Sequence, residues 1–581
     1  MIKINPRDVP AGAFETLIES GYPAALAKIF AARGIASRED LDTSLSQLLP
    51  FDNLKNAREM ARMLADAIAA GKKMRVVADY DADGATACAV ALRGLRNFGA
   101  QVDYIVPNRF EYGYGLTPEI VRLAASRPPE GRVPDGVLLA GAAQNSPAIL
   151  ITVDNGIASV DGVAEANRLG MQVLVTDHHL PGDALPDAAC IVNPNQPGCT
   201  FPSKHLAGVG VMFYVLLALR AELRSRGAIP EEQGRRLADL LDLVALGTVA
   251  DVVKLDRNNR ILVQQGLLRI RAGRACAGIN ALLRAAKKNP ASATSHDLGF
   301  AVGPRLNAAG RLDDMSMGIE CLLADDEPEA MRIAAKLDAL NRERRSIESD
   351  MQETAFAVLE QVDPKENYSL ALFDDSWHQG VIGILASRLK DRFHRPTIAF
   401  ARAGDSEIKG SGRSIAGLHL RDALDLVSKR HPSLIRKFGG HAAAAGLSIA
   451  ETDFDGFVSA FETVCRELLR ESDLAHRVET DGALDTAELN LEIARLLEQQ
   501  VWGQGFPAPQ FSDEFTVQNQ RVVGEKHLRL RLSKEGRLVE AILFGHAEPL
   551  PDRIHAVYSL NVNEYNDTQS LQLVIRHWRE A

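Results

Sequence analysis

Cysteine is scarce: six in 581 residues, with no two in a C-x-x-C pair. That usage excludes a disulfide framework or a zinc ribbon and reads as reduced thiols in a cytoplasmic protein. No apolar run approaches the ~20 residues of a membrane span. The longest, Val209 to Leu219, suits a buried helix. The opening residues, MIKINPRDVPAG, lack a basic start followed by an apolar core, so no secretory signal is read there. Positive charge is also in deficit, with 66 Lys and Arg against 76 Asp and Glu, a net −10. A whole-chain sum can hide a local basic groove, so the deficit weighs only mildly against a nucleic-acid partner. With 46% hydrophobic and 24% charged residues the chain is globular in composition, which excludes collagen-like, coiled-coil and disordered readings. At ~100–200 residues per domain, the length calls for three or four domains.

Residues 1–45 read as a helical segment without a motif. From Arg75, predicted strands (Arg75–Ala78, Val102–Val106, Ile149–Val153, Gln172–Thr176) alternate with helical stretches (Ala85–Phe98, Pro118–Ala125, Ala158–Leu169). This rhythm predicts an α/β fold with a parallel sheet, placed within 46–326. Residues 327–362 hold no Gly and one Pro, near the start. A helix of ~36 residues would run ~54 Å, long enough for a rod between domains. Strands at Ser369–Phe373, Pro396–Phe400 and Ile408–Gly412, with helices at Val381–Asp391 and Leu420–Lys429, predict a smaller α/β domain over 363–470. In 471–581 the alternation of His527–Leu532 and the short strands after it predict an oligonucleotide-binding type of β-barrel.

The strongest feature is Asp79-Tyr-Asp81-Ala-Asp83-Gly84 after the first strand. Three carboxylates at alternate positions repel unless a cation neutralises them. An EF-hand loop also begins this way, but its twelfth position would be Val90 where a bidentate Glu is required. Further motifs close later strands: Thr152-Val-Asp154-Asn155-Gly156 and Thr176-Asp177-His178-His179, while Thr248-Val-Ala-Asp251 ends an apolar segment. Parallel strands share one carboxyl edge, so these side chains should converge there. Many carboxylates, imidazole and no thiolate suit Mg²⁺ or Mn²⁺ better than zinc. The anionic excess points to two ions, a known device for phosphoryl transfer to water. Arg109 lies in a loop on the same edge, and Arg305, Asn307 and Arg311 share the Gly-rich string GPRLNAAGR. Arg offers a planar fork for phosphate, and Gly lets the backbone come close. The string from Gly439 to Gly446 is read as the start of a helix that would aim amides and His441 at a phosphate. Tyr114 is a candidate for base stacking. Lys526, His527, Arg529, Arg531, Lys534 and Arg537 would form a basic stripe on the barrel, backed by leucines.

The strings DYDADG, TVDNG, TDHH and GTVADV resemble the four motifs of the DHH phosphoesterase superfamily. GPRLNAAGRL, HQGVIGILASRLK, KGSGRS and GGHAAAAG are similar to its single-strand-specific 5′→3′ exonuclease branch, so the likeness runs from about residue 70 to about 450. The resemblance implies a DHH metal domain, a DHHA1-like domain and a terminal barrel, with a cleft through which single-stranded DNA threads. It implies Asp81, Asp83, Asp154, His178 and Asp251 as metal ligands and catalytic residues, with Asp79 a ligand or adjacent to one and Asp154 bridging. His179 would touch the scissile phosphate, Asp177 would orient an imidazole or hold its loop, and Arg109, Ser411 and Arg413 would grip the 5′-phosphate. It further implies a monomer that releases mononucleotides in DNA repair and recombination, recruited by single-strand-binding protein or a helicase. Two readings compete: a small-substrate pyrophosphatase or phosphodiesterase of the same superfamily, and a non-catalytic replication scaffold. The barrel weighs against the first, and four intact acidic motifs weigh against the second.

Overall fold

The computed structural model describes residues 3–108, 112, 115–126, 147–230, 236–359, 366–404, 406–565 and 568–581. The chain forms two compact units. One comprises Pro6–Ala339 with Thr480–Ala581, the other Leu340–Glu479 with the first five residues.

The larger unit is organised by a five-stranded parallel sheet. After strand β1 (Lys3–Pro6) and helices α1 (Ala11–Glu19), α2 (Ala24–Ala31) and α3 (Ala57–Ala69) come β2 (Lys73–Ala78), β3 (Gln101–Ile105), β4 (Ile149–Val153), β5 (Gln172–Thr176) and β6 (Cys190–Val192). Their spatial order is β3-β2-β4-β5-β6. All five residues of β4 are buried, as expected for a strand covered on both faces. On one face α5 (Pro118–Ser126) and α6 (Val160–Arg168) pack Ile120, Val121, Val163 and Ala166 against Val77, Leu150 and Val173. Elsewhere in the unit α4 (Ala82–Asn97), α7 (Gly208–Ser225) and α8 (Leu241–Ala250) pack together. A Cβ at Gly94 of α4 would fall 2.3 Å from a Leu216 methyl of α7, so any larger residue here must displace that side chain. The chain leaves β2 for β3 on one side and reaches β4 on the other. The carboxyl ends of β2 and β4 therefore flank a topological switch point, where open α/β sheets bind ligands.

The smaller unit carries a mixed sheet of order β10-β11-β9-β8-β7, with β7 (Leu370–Phe373), β8 (Thr397–Arg402), β9 (Glu407–Arg413), β10 (Lys437–Gly440) and β11 (Ala444–Ala450). Only β7 and β8 run parallel. The string from Gly439 to Gly446, read above as a helix start, is instead the tight turn between β10 and β11 and parts of both strands. Its alanines favour helix in isolation, but pairing of Ala444–Ala450 with β9 overrides that propensity. Helix α9 (Gly303–Leu312) belongs to the larger unit. Helix α10 (Glu327–Leu359) follows as 33 unbroken residues, with the boundary between units falling inside it. Helix α11 (Ile382–Phe393) joins β7 to β8, and β12 (Arg477–Thr480) pairs with β1.

The last five strands, β13 (Phe511–Val523), β14 (His527–Lys534), β15 (Arg537–Leu543), β16 (Arg553–Tyr565) and β17 (Thr568–Glu580), close a barrel in the order β13-β14-β15-β17-β16. Leu528, Leu530 and Leu532 point inward, and Arg529 and Arg531 face solvent. An aromatic column of Phe30, Trp502 and Phe506 ties α2 to the chain entering the barrel. Arg33 and Arg260 lie over the Trp502 and Phe506 rings.

Candidate metal centre

Each strand end at the switch point delivers an acid by a different local device. Asp79 follows β2, and its amide donates to the Val153 carbonyl of β4. Asp81 caps α4, accepting from the amides of Asp83 and Gly84 at 2.9 and 3.0 Å. Asp83 is fully buried and accepts from the first amides of α7, Gly208 at 2.6 Å and Val209 at 2.9 Å. A helix N-terminus favours the ionised carboxylate. Asp154 ends β4 at φ 62°, a left-handed conformation that Asp tolerates better than most residues. The Asn155 amide fastens that turn to the Val77 and Val153 carbonyls.

His178 Nε2 lies 3.1 Å from Asp154, 3.5 Å from Asp251 and 4.0 Å from Asp83. The ligand atoms of Asp79, Asp81 and Asp154 lie within 4.8 Å of one another, as do those of Asp83, His178 and Asp251. The six residues expected to be ligands therefore fall into two adjacent triads. A third grouping, Asp154 with His178 and His179, overlaps both.

Charge at the site is unbalanced. Burial, then Asp81, raises the Asp83 carboxyl to about 7, against the pull of the Val209 and Gly208 amides. Burial and the neighbouring Asp83 and Asp81 also push Asp154 and Asp251 well upward. Burial, then the His179 charge, lowers His178 to about 4, which leaves its ring neutral and able to ligate. Asp154 Oδ1 and His178 Nε2 are buried 3.1 Å apart, and neither has an aligned hydrogen bond among the described residues. Crowded carboxylates, a neutral imidazole and two orphaned ligand atoms fit a divalent cation site.

His179 behaves differently. Burial opposes its charge, but the Asp177 carboxylate prevails and raises it to about 9. Asp177 Oδ1 accepts from the ring at 2.8 Å and from the amides of His178 and His179, while Oδ2 accepts from the Ile157 amide. Asp177 thus holds the loop and orients one imidazole, that of His179.

Glycines complete the site. An added Cβ would lie 2.5 Å from the Asp79 carbonyl oxygen at Gly84, 2.6 Å from Asp154 at Gly208, and 2.0 Å from the Tyr80 carbonyl oxygen at Gly310. Gly208 lies just before the apolar run Val209 to Leu219, with nothing in the sequence to mark it as a neighbour of Asp154.

Some expected substrate contacts are committed elsewhere. Asn307 Oδ1 accepts from the Ala82 amide at 2.8 Å, which anchors the first acidic motif to α9. Arg305 pairs with Asp338 at 2.7 Å and donates to the Ala301 carbonyl. Both thus have structural partners within the larger unit, and their contact with substrate remains a proposal. Arg311 sits in the last turn of α9, beside Gly310. The basic stripe is also partly spent: half-buried Lys534 pairs with Asp513, and Arg529 pairs with Glu540. Arg109 and Tyr114 lie outside the described residues.

In the smaller unit, Arg413 closes β9 with its guanidinium bonded to Ser411 Oγ and the Gly412 carbonyl. Burial lowers its pKa, and no carboxylate pairs with it among the described residues. A Cβ on Gly383, in the first turn of α11, would lie 2.9 Å from Ser411 Oγ and 3.0 Å from Arg413 Nη2. Serine, arginine and a helix start thus share one spot, suited to a phosphate. His378, unassigned from sequence, precedes that helix and accepts from the Gly380 amide. The turn carrying His441 lies at the same end of the sheet, since Ala444 pairs with Arg413.

Aspartates at the carboxyl ends of adjacent parallel strands, followed by a paired histidine motif, define a DHH-type phosphoesterase. The model of the DHH family, N-terminal domain, matches residues 73–248. The DHHA1 domain matches 365–467 and the RecJ OB domain 480–577. The chain belongs to the RecJ family. It is 48% identical to the single-stranded-DNA-specific exonuclease RecJ of Dickeya dadantii, over 97% of each chain. It is 47% identical to that of Escherichia coli, over 95% of each. The crystal structure of RecJ in complex with Mn²⁺ from Thermus thermophilus superposes with a TM-score of 0.81 at 29% identity, covering 100% of this chain and 80% of that one.

Proposed function

We propose that this protein is a single-stranded-DNA-specific exonuclease that hydrolyses phosphodiester bonds from the 5′ end with two divalent cations, Mn²⁺ or Mg²⁺. The observation that carries the reading is the grouping of six buried or half-buried carboxylate and imidazole side chains into two adjacent triads beside an imidazolium. Asp79, Asp81 and Asp154 would hold one ion, and Asp83, His178 and Asp251 the other. When bound, such a pair supplies a hydroxide nucleophile and offsets charge on the reacting phosphate. Asp154, between the triads, is suited to serve both. His179, held charged by Asp177, would donate a hydrogen bond to the scissile phosphate. Arg413 and Ser411 would take the terminal 5′-phosphate, together with Arg109. His441 and Arg311 remain proposed phosphate contacts, and Tyr114 a proposed stacking residue.

Residues 1–45, 46–326, 327–362, 363–470 and 471–581 are proposed as N-terminal segment, metal domain, connecting helix, DHHA1-like domain and barrel. Among the described residues no helix is long and apolar enough to cross a membrane, and the six cysteines are free thiols. A cytoplasmic, monomeric enzyme of repair and recombination, recruited by single-strand-binding protein or a helicase, is part of the same proposal.

The test is digestion of a 5′-phosphorylated, 3′-labelled oligonucleotide with Mn²⁺, alongside a blunt duplex. A descending ladder of labelled fragments with the duplex intact is expected. Immediate release of labelled mononucleotide would reverse the polarity. An undigested strand would remove the activity.

A further inference from the structure

The three most exposed large apolar side chains among the described residues are Phe300, Val252 and Leu180, at 75%, 62% and 60%. Scattered exposed apolar residues need no explanation, but each of these three is tied by sequence or packing to a segment that carries a site residue. Leu180 directly follows His179, and Val252 directly follows Asp251. Phe300 lies in a π-helical stretch, Leu298–Val302, that wraps the end of α8. A Cβ on Gly299 would sit 3.1 Å from Val249, and one on Gly303 would sit 3.2 Å from Ala250. Phe300 is therefore within a few residues' reach of Asp251.

The backbone here is unusual as well as the exposure. Val252 adopts φ 63°, which a β-branched residue holds only under constraint. π-Helical turns concentrate at functional sites. The Phe300 ring stacks on His296, with centroids 4.5 Å apart and planes 25° apart. Burial lowers the His296 pKa against the pull of the Asp297 carboxylate, and Lys288 with Arg576 of barrel strand β17 adds to the lowering. The His296 end of the stack thus faces mixed charge that includes a cation from the barrel, while Phe300 belongs to the stretch packed on the end of α8 that leads into Asp251.

We propose that Phe300, backed by His296 and flanked by Val252 and Leu180, is a platform on which unpaired bases stack as the strand enters the metal centre. The inference rests on the exonuclease reading above and adds a second source of strand selectivity. A base in a duplex has both faces covered by its neighbours, so only an unpaired base can lay a face on a protein ring. Aromatic stacking tolerates every base, as an enzyme that digests any sequence requires.

The experiment compares wild type, Phe300→Ala and Phe300→Trp on 5′-phosphorylated oligonucleotides that carry one abasic site at successive positions, and on a 5′-phosphorylated dinucleotide. Phe300→Ala should raise KM for the unmodified oligonucleotide roughly 5- to 100-fold with kcat little changed. Phe300→Trp should restore it, and the dinucleotide should be hydrolysed at the wild-type rate by all three. At one position the abasic site should cost wild type the same factor and cost Phe300→Ala nothing more. A KM within twofold of wild type for Phe300→Ala, or an abasic penalty as large in that variant as in wild type, removes the platform alone. Failure of wild type to shorten the oligonucleotide while still hydrolysing the dinucleotide removes the exonuclease reading and the platform with it.

Discussion

Two glycines in the first turn of α7 set up a controlled comparison. A methyl on Gly208 would lie 2.6 Å from both Cβ and Oδ1 of Asp154 and 2.8 Å from its Cγ. Carbon atoms in contact stay about 3.5–4.0 Å apart, so about 1 Å must be recovered. Either Asp154 retreats from His178, now 3.1 Å away, or α7 recedes and loosens the Gly208 and Val209 amides from Asp83. Either movement disturbs one of the triads. At Gly210 the nearest obstacle is the tip of Leu206 at 3.2 Å, a side chain that can turn aside. Overpacking costs roughly 1–3 kcal/mol, and alanine returns up to about 1 kcal/mol of helix propensity. Gly208→Ala should therefore melt only a few degrees below wild type. A misplacement of ~1 Å in a reacting constellation costs on the order of 10²-fold in rate. The expected result is a kcat/KM on single-stranded DNA about 100-fold down for Gly208→Ala and within threefold of wild type for Gly210→Ala. Steady-state digestion and thermal denaturation measure both. Wild-type kcat/KM in Gly208→Ala would refute the claim that this helix end sets the geometry of the cluster.

Three further outcomes follow from other parts of the structure. Arg413→Gln should lower kcat/KM on a 5′-phosphorylated strand at least tenfold and abolish any preference over a 5′-hydroxyl strand; a retained preference would place the phosphate elsewhere. Asp83 is raised to about 7 on folding, so its stabilising contribution is full below its unfolded value near ~3.9 and is lost as pH rises through about 7. Asp154 and Asp251 shift the same way. Because a cation competes with those protons, the rise in Tm produced by Mn²⁺ should grow from pH 5 to pH 8, and a pH-independent rise would contradict it. Lys534→Met leaves the buried Asp513 carboxylate without its cation. It should destabilise the barrel by about 3–5 kcal/mol, weakening DNA affinity while dinucleotide hydrolysis persists; an unchanged melting profile would oppose this.

The acidic motifs were legible because parallel strands fix where a side chain after the last strand residue must lie. Asp79, Asp154 and Asp177 needed only that rule, and the order of strands then put two of them at the switch point. Asp177 took the supporting role of loop and imidazole holder. What stayed hidden was contact at long range. Arg305 and Asn307 carry the chemistry of phosphate binders, but Asp338 and the Ala82 amide, 33 and 225 residues away, claim them first. The alanines after His441 carry helix propensity, and only pairing with β9 decides otherwise. Lys534 looked like part of a DNA-facing stripe because nothing in its neighbourhood announces Asp513. Phe300 was invisible for the converse reason: an aromatic residue near a helix start reads as core, and only the fold shows it 75% exposed among the described residues.

The central claim is a pair of cations held by Asp79, Asp81 and Asp154 on one side and Asp83, His178 and Asp251 on the other. The most direct measurement is Mn²⁺ titration of the metal-free protein, with bound ions counted and their electron paramagnetic resonance recorded. Two ions per chain with exchange-coupled spectra, as expected for a separation of ~3.5–4 Å, and loss of the coupling in Asp154→Ala are predicted. A single ion, or two that remain magnetically independent, would contradict the account.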